Sequence, residues 1–397
     1  SRYAPEEMIG DYVNLGFDNR YSRDDDRDKF LLGNGDPGAR QGFQGNALDG
    51  FGVQLAIAGH ILEDKGMLRL AARYAISLAH CTYWDQSALC RVPGTLWDHR
   101  SYLQSMCAFN CAVILDLAGE FFTEYGRQLV LRRIAENGLG QISYTSWRFD
   151  YVYRNNSLTL FQTGRMAGAL VVEKSFGRIG YTLDETLDCV RKNLASIIYP
   201  DGGFAEGPGY FTEVVRGVLI INYMYARLHN RDFRSWVSPA LQNTSNYVGA
   251  LLSTVPGQVF IPICDGARED QVYNDYIPFM AGLFPGTNWA FLADLLPGKE
   301  DRSPSELFSL LPIADTEPVP PPIPHFVLLP NTGIAASLRV HEGEFVKILL
   351  MGNSQNAGHN HEDVGSFVLE WAGETYAMDP GMTHYSDPTT FHYKYCQ

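Results

Sequence analysis

The stretch Glu317-Pro-Val-Pro-Pro-Pro-Ile-Pro324 divides the sequence into two parts of different character. A proline-rich run is stiff and extended, so residues 317–325 are predicted to form an interdomain linker. Helical spacing of apolar residues dominates before this run, and short segments rich in Val, Ile, Leu and Phe follow it. A chain of 397 residues also exceeds the usual size of a single core. We therefore predict a helical domain over residues 1–316 and a β domain over residues 326–397.

The helical part consists of apolar-periodic segments that are joined by short turns marked by Gly or Pro. This pattern favours an all-α domain of antiparallel helix pairs. Thr182-Leu-Asp-Glu185 has the form of a capping box, and the helix that follows it is predicted to end at Pro200-Asp-Gly-Gly203. Further predicted helical segments are Phe51–His80, Tyr102–Gly119, Thr123–Glu136, Ser157–Val172, Val214–Leu228 and Pro239–Leu252.

The part after the linker reads as strands separated by turn residues, such as Glu342-Gly343 and Ala372-Gly373. The predicted strands are Phe326–Leu329, Ile334–Arg339, Phe345–Met351, Ser366–Trp371 and Thr375–Met378. This region covers about 70 residues. Such a piece is either a small sheet or the front part of a larger β-sandwich that is cut short.

Composition limits the classes of partner. The formal net charge of −14 and the pI of about 5.1 argue against nucleic acid, which needs a basic footprint. An anionic substrate remains compatible, because a cleft can be locally positive on an acidic protein. No run of 18 apolar residues is present, so no membrane span is predicted, and no signal peptide is visible at the N-terminus. Seven cysteines without CxxC spacing give no disulfide framework.

Two histidines in Asn356-Ala-Gly-His-Asn-His-Glu-Asp363 are the first candidates for chemistry. In an extended segment residues i and i+2 point to one side, so His359 and His361 would face the same space. Two such imidazoles suit a metal, or one metal ligand beside one acid/base group. Asp379 could add a carboxylate ligand. A polar loop before a strand explains the same spacing equally well.

The loop Asp201-Gly-Gly-Phe-Ala-Glu-Gly-Pro-Gly-Tyr210 is the second candidate. Its glycines and proline indicate an irregular connection between helices, where catalytic side chains are often held. Tyr210 is expected at the start of the next helix, as a reactive or a packing residue. Asp201 and Glu206 could instead form the carboxylate pair of a glycoside hydrolase.

Polar residues between other helices complete the candidates. Asn156, in Tyr153-Arg-Asn-Asn156, is either a helix N-cap or an amide that binds a substrate carboxylate. Trp97-Asp-His-Arg100 and Cys264-Asp-Gly-Ala-Arg268 either line a cleft or only end helices. Arginines can pair with substrate carboxylates, although surface salt bridges are their commoner fate. The candidate substrate-binding residues are His99, Arg100, Asn155, Arg165, Glu206 and Arg268.

Together these motifs resemble the heparinase II/III-like polysaccharide lyases and the related dermatan sulfate epimerases. Asn155-Asn-Ser-Leu-Thr-Leu-Phe-Gln-Thr-Gly164 is similar to the helix start of that family, and Asp201-Gly-Gly…Tyr210 to the loop that presents its catalytic Tyr. Asn356-Ala-Gly-His-Asn-His-Glu-Asp…Gly-Ser-Phe367 is similar to the segment that opens the β-domain site, and Met378-Asp-Pro-Gly381 to the metal-ligand turn that follows.

The resemblance implies an N-terminal α/α toroid, an incomplete barrel of helix pairs, followed by an antiparallel β-sandwich that is truncated here. It implies β-elimination on a uronate-containing polysaccharide such as a glycosaminoglycan or alginate. Tyr210 and His359 would act as base and acid, and Asn156 would neutralise the uronate carboxylate. His361 and Asp379 would ligate a structural divalent metal, expected to be zinc, whose third ligand is not identified in this chain.

The resemblance also sets expectations about partners and location. A separate C-terminal polypeptide could complete the β-sandwich, and the chain could form a homo-oligomer. A secreted or periplasmic location is expected, and a cytoplasmic one stays open. Two other activities remain as alternatives: a uronyl C5-epimerase acting on a glycosaminoglycan, and an α/α-barrel glycoside hydrolase that uses Asp201 and Glu206.

Overall fold

The structure, a computed structural model, combines many helices with one antiparallel sheet. It describes residues 51–81, 84, 101–232, 235, 237–258, 260–264, 276–290, 325–352 and 364–379. These residues form two compact units. The first holds the described residues up to Val152, Ser157–Val190 and Ile221–Arg231, and the second holds Tyr153–Asn156, Arg191–Ile220 and the described residues from Asp232 onward. The predicted linker lies outside the described residues except for His325, which begins a strand.

The structure contains the predicted helical segments, divides Phe51–His80 into two helices, and adds helices at Gly140–Arg148 and Ile277–Leu283 that were not predicted. The helices are α1 (Phe51–Ile61), α2 (Lys65–His80), α3 (Tyr102–Leu117), α4 (Glu124–Arg133), α5 (Gly140–Arg148), α6 (Ser157–Glu173), α7 (Gly180–Ile197), α8 (Pro208–Leu228), α9 (Pro239–Leu251) and α10 (Ile277–Leu283). Short 3₁₀ turns cover Gly119–Phe121, Asp150–Arg154 and Gly177–Ile179. Within the described residues, no helix is both long enough and apolar enough to cross a membrane.

Most predicted helix bounds agree with the structure, but the prediction of a capping box at Thr182–Glu185 is wrong. The 3₁₀ turn Gly177–Ile179 leads directly into α7, which begins at Gly180. Thr182 therefore lies inside the helix, where its carbonyl oxygen accepts a hydrogen bond of 2.7 Å from the Thr186 hydroxyl. The helix starts upstream of Thr182, so the capping-box pattern there does not mark its N-terminus.

Helices α4 and α5 are parts of one continuous helix that contains a π-helical turn at Ile134–Leu139. A π turn holds one more residue than an α turn. At Gly138 an added Cβ would lie 2.9 Å from the Cβ of Ala108 on α3. The missing side chain therefore lets the widened turn pack closely against α3.

Side chains from neighbouring helices fill a helical core. Cys107 and Cys111 on α3 are fully buried, as the sequence predicts for small apolar packers. Burial raises the pKa of both thiols well above the ordinary value. Where α3 crosses α6, a Cβ on Gly164 would lie 2.1 Å from the carbonyl oxygen of Ser105, so only glycine permits this approach.

The sheet is a five-stranded antiparallel meander in the order β1-β2-β3-β4-β5. Its strands are β1 (His325–Leu329), β2 (Ile334–His341), β3 (Glu344–Met351), β4 (Phe367–Trp371) and β5 (Glu374–Ala377). The tight turns at Glu342-Gly343 and Ala372-Gly373 have positive φ at both residues, which suits two-residue hairpins. The strand predictions are confirmed to within one or two residues.

The two faces of the sheet are both largely apolar but differ in exposure. The inner face is buried in the second unit, and its side chains include Val327, Leu329, Ile334, Ala336, Leu349, Met351 and Val368. The outer face exposes large apolar side chains at Phe326, Leu328, Ile348, Leu350, Phe367 and Trp371. Strands with two apolar faces are typical of sheets that are covered on both sides.

A charged pair is buried on the inner face. Lys347 on β3 and Glu370 on β4 are cross-strand neighbours, and both are almost completely buried. The Lys347 ammonium donates to the carbonyl oxygen of Gly249 on α9 at 3.1 Å. The Glu370 carboxylate accepts from the Ser253 hydroxyl at 2.7 Å, and from the Thr254 backbone N–H at 2.6 Å and hydroxyl at 2.9 Å. These polar contacts fix the sheet against the residues that end and follow α9.

Candidate active site

The loop between α7 and α8 is held by its own backbone and by glycines. Its ends pair through an isolated bridge between Ile198 and Phe204, and the Tyr199 N–H donates to the Gly203 carbonyl oxygen at 2.8 Å. Gly202 has φ +90°, and a Cβ there would lie 1.9 Å from the carbonyl oxygen of Asn243. Only glycine fits this position. The loop therefore delivers Glu206 to one fixed place directly before α8.

Glu206 and Asn156, 50 residues apart in sequence, form the central contact of the site. Both are buried. One carboxylate oxygen of Glu206, Oε2, accepts from the backbone N–H of Asn156 at 2.9 Å and from its side-chain amide at 2.8 Å. The amide nitrogen of Asn156 therefore faces Glu206. Glu206 thus fixes the orientation of the Asn156 amide.

Asn193 on α7 holds the segment that carries Asn156. Its side-chain amide donates to the carbonyl oxygens of Tyr153 at 3.0 Å and of Asn155 at 2.9 Å. Asn193 was not predicted from the sequence as a site residue. A signal was present, since Asn193 interrupts the apolar face formed by Val190, Leu194 and Ile197, and a polar residue on a buried face needs partners.

Tyr210 lies in the first turn of α8, as predicted, four residues after Glu206. Its side chain is partly exposed, in contrast to Glu206 and Asn156. The next residue, Phe211, is buried in an aromatic cluster with Phe204, Tyr247 and Trp289. This cluster fixes the first turn of α8, so the partly exposed Tyr210 is held by a rigid neighbour.

The carboxylate of Asp201 has structural partners. Its Oδ1 accepts from the Gly203 N–H at 3.0 Å, and its Oδ2 accepts from the Asn331 N–H at 2.9 Å, in the turn between β1 and β2. Both carboxylate oxygens therefore stabilise backbone. Glu206 is likewise bound to Asn156. This arrangement gives little support to Asp201 and Glu206 as the acid and base of a glycoside hydrolase.

Arg165, predicted to bind substrate, lies elsewhere. It is 0% exposed in the core of the helical unit, and its guanidinium forms an ion pair with Glu185 and donates to Gln162 at 3.3 Å. A guanidinium without exposed surface is not available to a polymer in this structure. The sequence did not indicate this burial, which arises because α6 is buried on most of its faces, including the one that carries Arg165.

Several predicted site residues fall outside the described part of the chain: His99, Arg100, Arg268, His359 and His361. Asn155 is described and contributes its carbonyl oxygen to Asn193. Asp379, the predicted carboxylate ligand, is buried, which suits a group that compensates a cation. Among the residues that the structure describes, no group of three or more His, Cys, Asp or Glu could hold a metal ion.

The fold has close counterparts among solved structures, although no protein-family model and no curated protein sequence matches the chain. A heparan sulfate lyase HepC from Pedobacter heparinus superposes with a TM-score of 0.57 at 12% identity, over 96% of this chain and 53% of that one. A heparinase III, the BT4657 gene product, gives 0.58 at 12% identity, over 96% of this chain and 56% of that one.

This chain has the heparinase III fold. Another heparinase III structure agrees, with a TM-score of 0.57 at 14% identity, over 81% of this chain and 50% of that one. The chain spans about half the length of these heparinases. At such identities the likeness concerns the fold, and the chemistry must be argued from the residues of the site.

Proposed function

We propose that this chain carries the catalytic site of a lyase that cleaves a uronate-containing polysaccharide by β-elimination. The observation that carries the proposal is the buried contact between Asn156 and Glu206. Glu206 lies four residues before Tyr210, and the fold is similar to that of heparinase III. The matched structures are about twice as long as this chain, so the activity of those proteins comes to this chain only as a proposal.

In the proposed reaction, Asn156 binds the uronate carboxylate. One amide N–H is held by Glu206, so the second N–H has a fixed direction in which to donate to the substrate. A hydrogen bond to the carboxylate stabilises the negative charge that develops when the neighbouring C5 proton leaves. The role of Glu206 is then to position Asn156, rather than to handle protons.

Tyr210 and His359 are proposed to move the protons. One of them removes the proton from C5, and the electron pair forms the C4–C5 double bond as the bond from C4 to the glycosidic oxygen breaks. The other protonates the departing oxygen. The products are an unsaturated uronate and a chain with a free hydroxyl. A phenolate base at Tyr210 would need nearby positive charge, which His359 in its protonated form could supply.

A structural zinc ion held by His361 and Asp379 remains a further proposal. When bound, such a cation would supply positive charge and rigidity behind His359. The burial of Asp379 supports it, and no step of the reaction is assigned to the metal. The test is metal analysis of the purified protein and of His361→Ala. A full complement of zinc in His361→Ala would contradict the assignment.

We also propose that a second antiparallel sheet, from a separate C-terminal polypeptide, covers the outer face of the described sheet. The support is the row of exposed apolar side chains at Phe326, Leu328, Ile348, Leu350 and Phe367. A surface of this kind is normally an interface. Backbone hydrogen exchange in strands β1–β5, measured with and without the separate C-terminal polypeptide, tests the proposal. Slower exchange in its presence is expected. Self-association of the chain through this face would favour a homo-oligomer instead.

The experiment that tests the function is a panel of uronans, namely heparan-type chains, chondroitin or dermatan sulfate, hyaluronan and alginate, incubated with the protein. The expected result is absorbance from an unsaturated uronate. Inversion at C5 without this absorbance would indicate an epimerase, and reducing ends without it a hydrolase. A soluble uronan cannot cross a membrane unaided, which is why we propose a secreted or periplasmic location.

A further inference from the structure

An exposed group of aromatic side chains lies at the end of α5 and in the 3₁₀ turn that follows. We define the aromatic platform as Tyr144, Trp147, Phe149 and Tyr151, all within the first compact unit. Trp147 is 66% exposed, and Tyr144 and Tyr151 are exposed as well. Tyr144 and Trp147 share one face of α5 because they are three residues apart. Phe149 contacts Tyr144 and Tyr151 in edge-on geometry, with ring-centroid distances of 6.0 Å and 6.3 Å.

The indole of Trp147 is anchored in spite of its exposure. Its Nε1 donates to Oε1 of Glu185 on α7, and Oε2 of the same carboxylate is paired with the fully buried Arg165. The exposed ring is thus tied to an ion pair inside the helical core. A side chain that is already ordered loses less entropy when a ligand binds than a mobile one does. This anchoring distinguishes Trp147 from an incidental surface aromatic.

A cation borders the platform. The guanidinium of Arg148 lies 5.7 Å from the ring centre of Phe149, within cation–π range. The guanidinium of an arginine stacked in this way can still direct its N–H groups at a carboxylate or a sulfate. The chain has a net charge of −14, but Arg148 places a positive charge directly beside the exposed rings. Asp150, which is exposed two residues later, carries the opposite charge.

We infer that the aromatic platform binds sugar rings of an acidic polysaccharide, with Arg148 pairing with an anionic group of that chain. Flat exposed rings fit the apolar faces of pyranoses, and Arg148 supplies charge complementarity to a uronate or a sulfate. The inference rests on the proposed function and adds to it a binding surface outside the candidate active site. It predicts that long chains gain affinity from contacts that short oligosaccharides do not reach.

The test compares Trp147→Ala and Arg148→Gln with a matched control, Tyr125→Ala, which removes a 78% exposed aromatic from α4 in the same unit. Binding is measured by calorimetry with size-fractionated heparan-type oligosaccharides and with alginate oligosaccharides. Trp147→Ala should weaken the binding of long chains roughly tenfold. Arg148→Gln should weaken it and reduce its salt dependence, and Asp150→Asn should tighten it.

The two ligands distinguish the anionic partner of Arg148. A loss confined to heparan-type chains assigns a sulfate, and a loss for both ligands assigns the carboxylate. Equal affinities of Trp147→Ala and Tyr125→Ala would overturn the inference. So would a concentration-dependent dimer that Trp147→Ala abolishes without any effect on sugar binding, because the platform would then be a contact between copies of the chain.

Kinetics separate this inference from the proposed function. Trp147→Ala should raise KM for long chains and leave kcat, and turnover of the shortest substrate, unchanged. Trp147-dependent binding without any unsaturated product would support the platform and contradict the lyase. Unsaturated product with Trp147-independent binding would do the reverse.

Discussion

Asn156 donates twice to the same carboxylate oxygen of Glu206, once from its backbone N–H and once from its side-chain amide. The contact joins the residue before α6 to the loop before α8, so two segments distant in sequence fix one amide. If that amide binds the substrate carboxylate, Glu206 acts on the reaction through Asn156 alone. Such a positioning residue should tolerate conservative replacement better than a proton donor does.

Replacing Glu206 should therefore give a graded loss. Glu206→Gln keeps an acceptor oxygen but loses its charge, and we expect kcat/KM to fall roughly thirtyfold, the equivalent of about 2 kcal/mol. Glu206→Ala removes the acceptor altogether and should cost more. Steady-state kinetics on both variants check this order, with circular dichroism to verify folding. Equal and complete losses would indicate that Glu206 handles protons itself.

Tyr210→Phe should abolish nearly all turnover, because it removes only the hydroxyl that is assigned to proton transfer. His359→Ala should behave in the same way. A matched control is Tyr223→Phe, which removes a hydroxyl from a partly buried Tyr on the same helix. Two products are measured for each variant: unsaturated uronate, which reports β-elimination, and new reducing ends, which report any chain cleavage. If Tyr210→Phe retained substantial activity while Glu206→Gln lost it, the glycoside hydrolase alternative would replace the lyase.

Two ion pairs of the first unit, Arg165–Glu185 and Lys174–Asp116, should differ sharply in their contribution to stability. Glu185→Gln leaves the fully buried Arg165 without its counter-charge, and we expect a loss of about 3 kcal/mol in the free energy of unfolding. Lys174→Ala breaks an exposed pair with Asp116 and should change stability by less than about 1 kcal/mol. Urea unfolding of both variants measures the difference. Similar effects would mean that Arg165 is not desolvated.

Lys347 should make stability depend on pH in alkaline solution. Burial, opposed in part by the negative charge of Glu370, lowers the pKa of Lys347 from 10.5 to about 8. Between these values the unfolded chain binds a proton that the folded chain has released. Unfolding stability should therefore rise as the pH increases from about 8 to about 10.5, with a full effect on the order of 3 kcal/mol.

The measurement is the difference in unfolding free energy between the wild type and Lys347→Met, taken across this pH range. Met has a similar shape without the charge, so subtraction removes the titration of other groups. The unfolding free energy of the wild type, relative to that of the variant, should increase as the pH rises. A constant difference would mean that Lys347 stays protonated in the folded state.

Sequence periodicity predicted all five strands and most helices, because amphipathic helices and short apolar strands differ in the spacing of their apolar residues. It did not predict α5, α10 or the break between α1 and α2. The start of α8 was placed late, at Val214 instead of Pro208, since Gly207-Pro-Gly209 reads as loop. The π turn at Ile134–Leu139 was not predicted, because one extra residue hardly disturbs a helical pattern. In the structure this turn packs closely against α3 at Gly138.

The candidate site was predicted only in part. The sequence selected Asn156, Glu206 and Tyr210 separately, but it gave no reason to pair Asn156 with Glu206, because that contact depends on how the chain returns after 50 residues. Arg165 shows the opposite error. A charged residue is expected at the surface, and only the position of Glu185 on α7 makes complete burial of the guanidinium tolerable.

The number of residues in the π turn sets the direction in which the aromatic platform faces. Each residue of a helix advances the chain by about 100° around the axis, so the extra residue in Ile134–Leu139 sets the direction of everything in α5. A one-codon deletion in this turn would leave Tyr144 and Trp147 chemically intact. It would nevertheless swing both rings about a quarter of a turn away from Glu185. The direction in which the rings point is thus encoded by the number of residues that precede them.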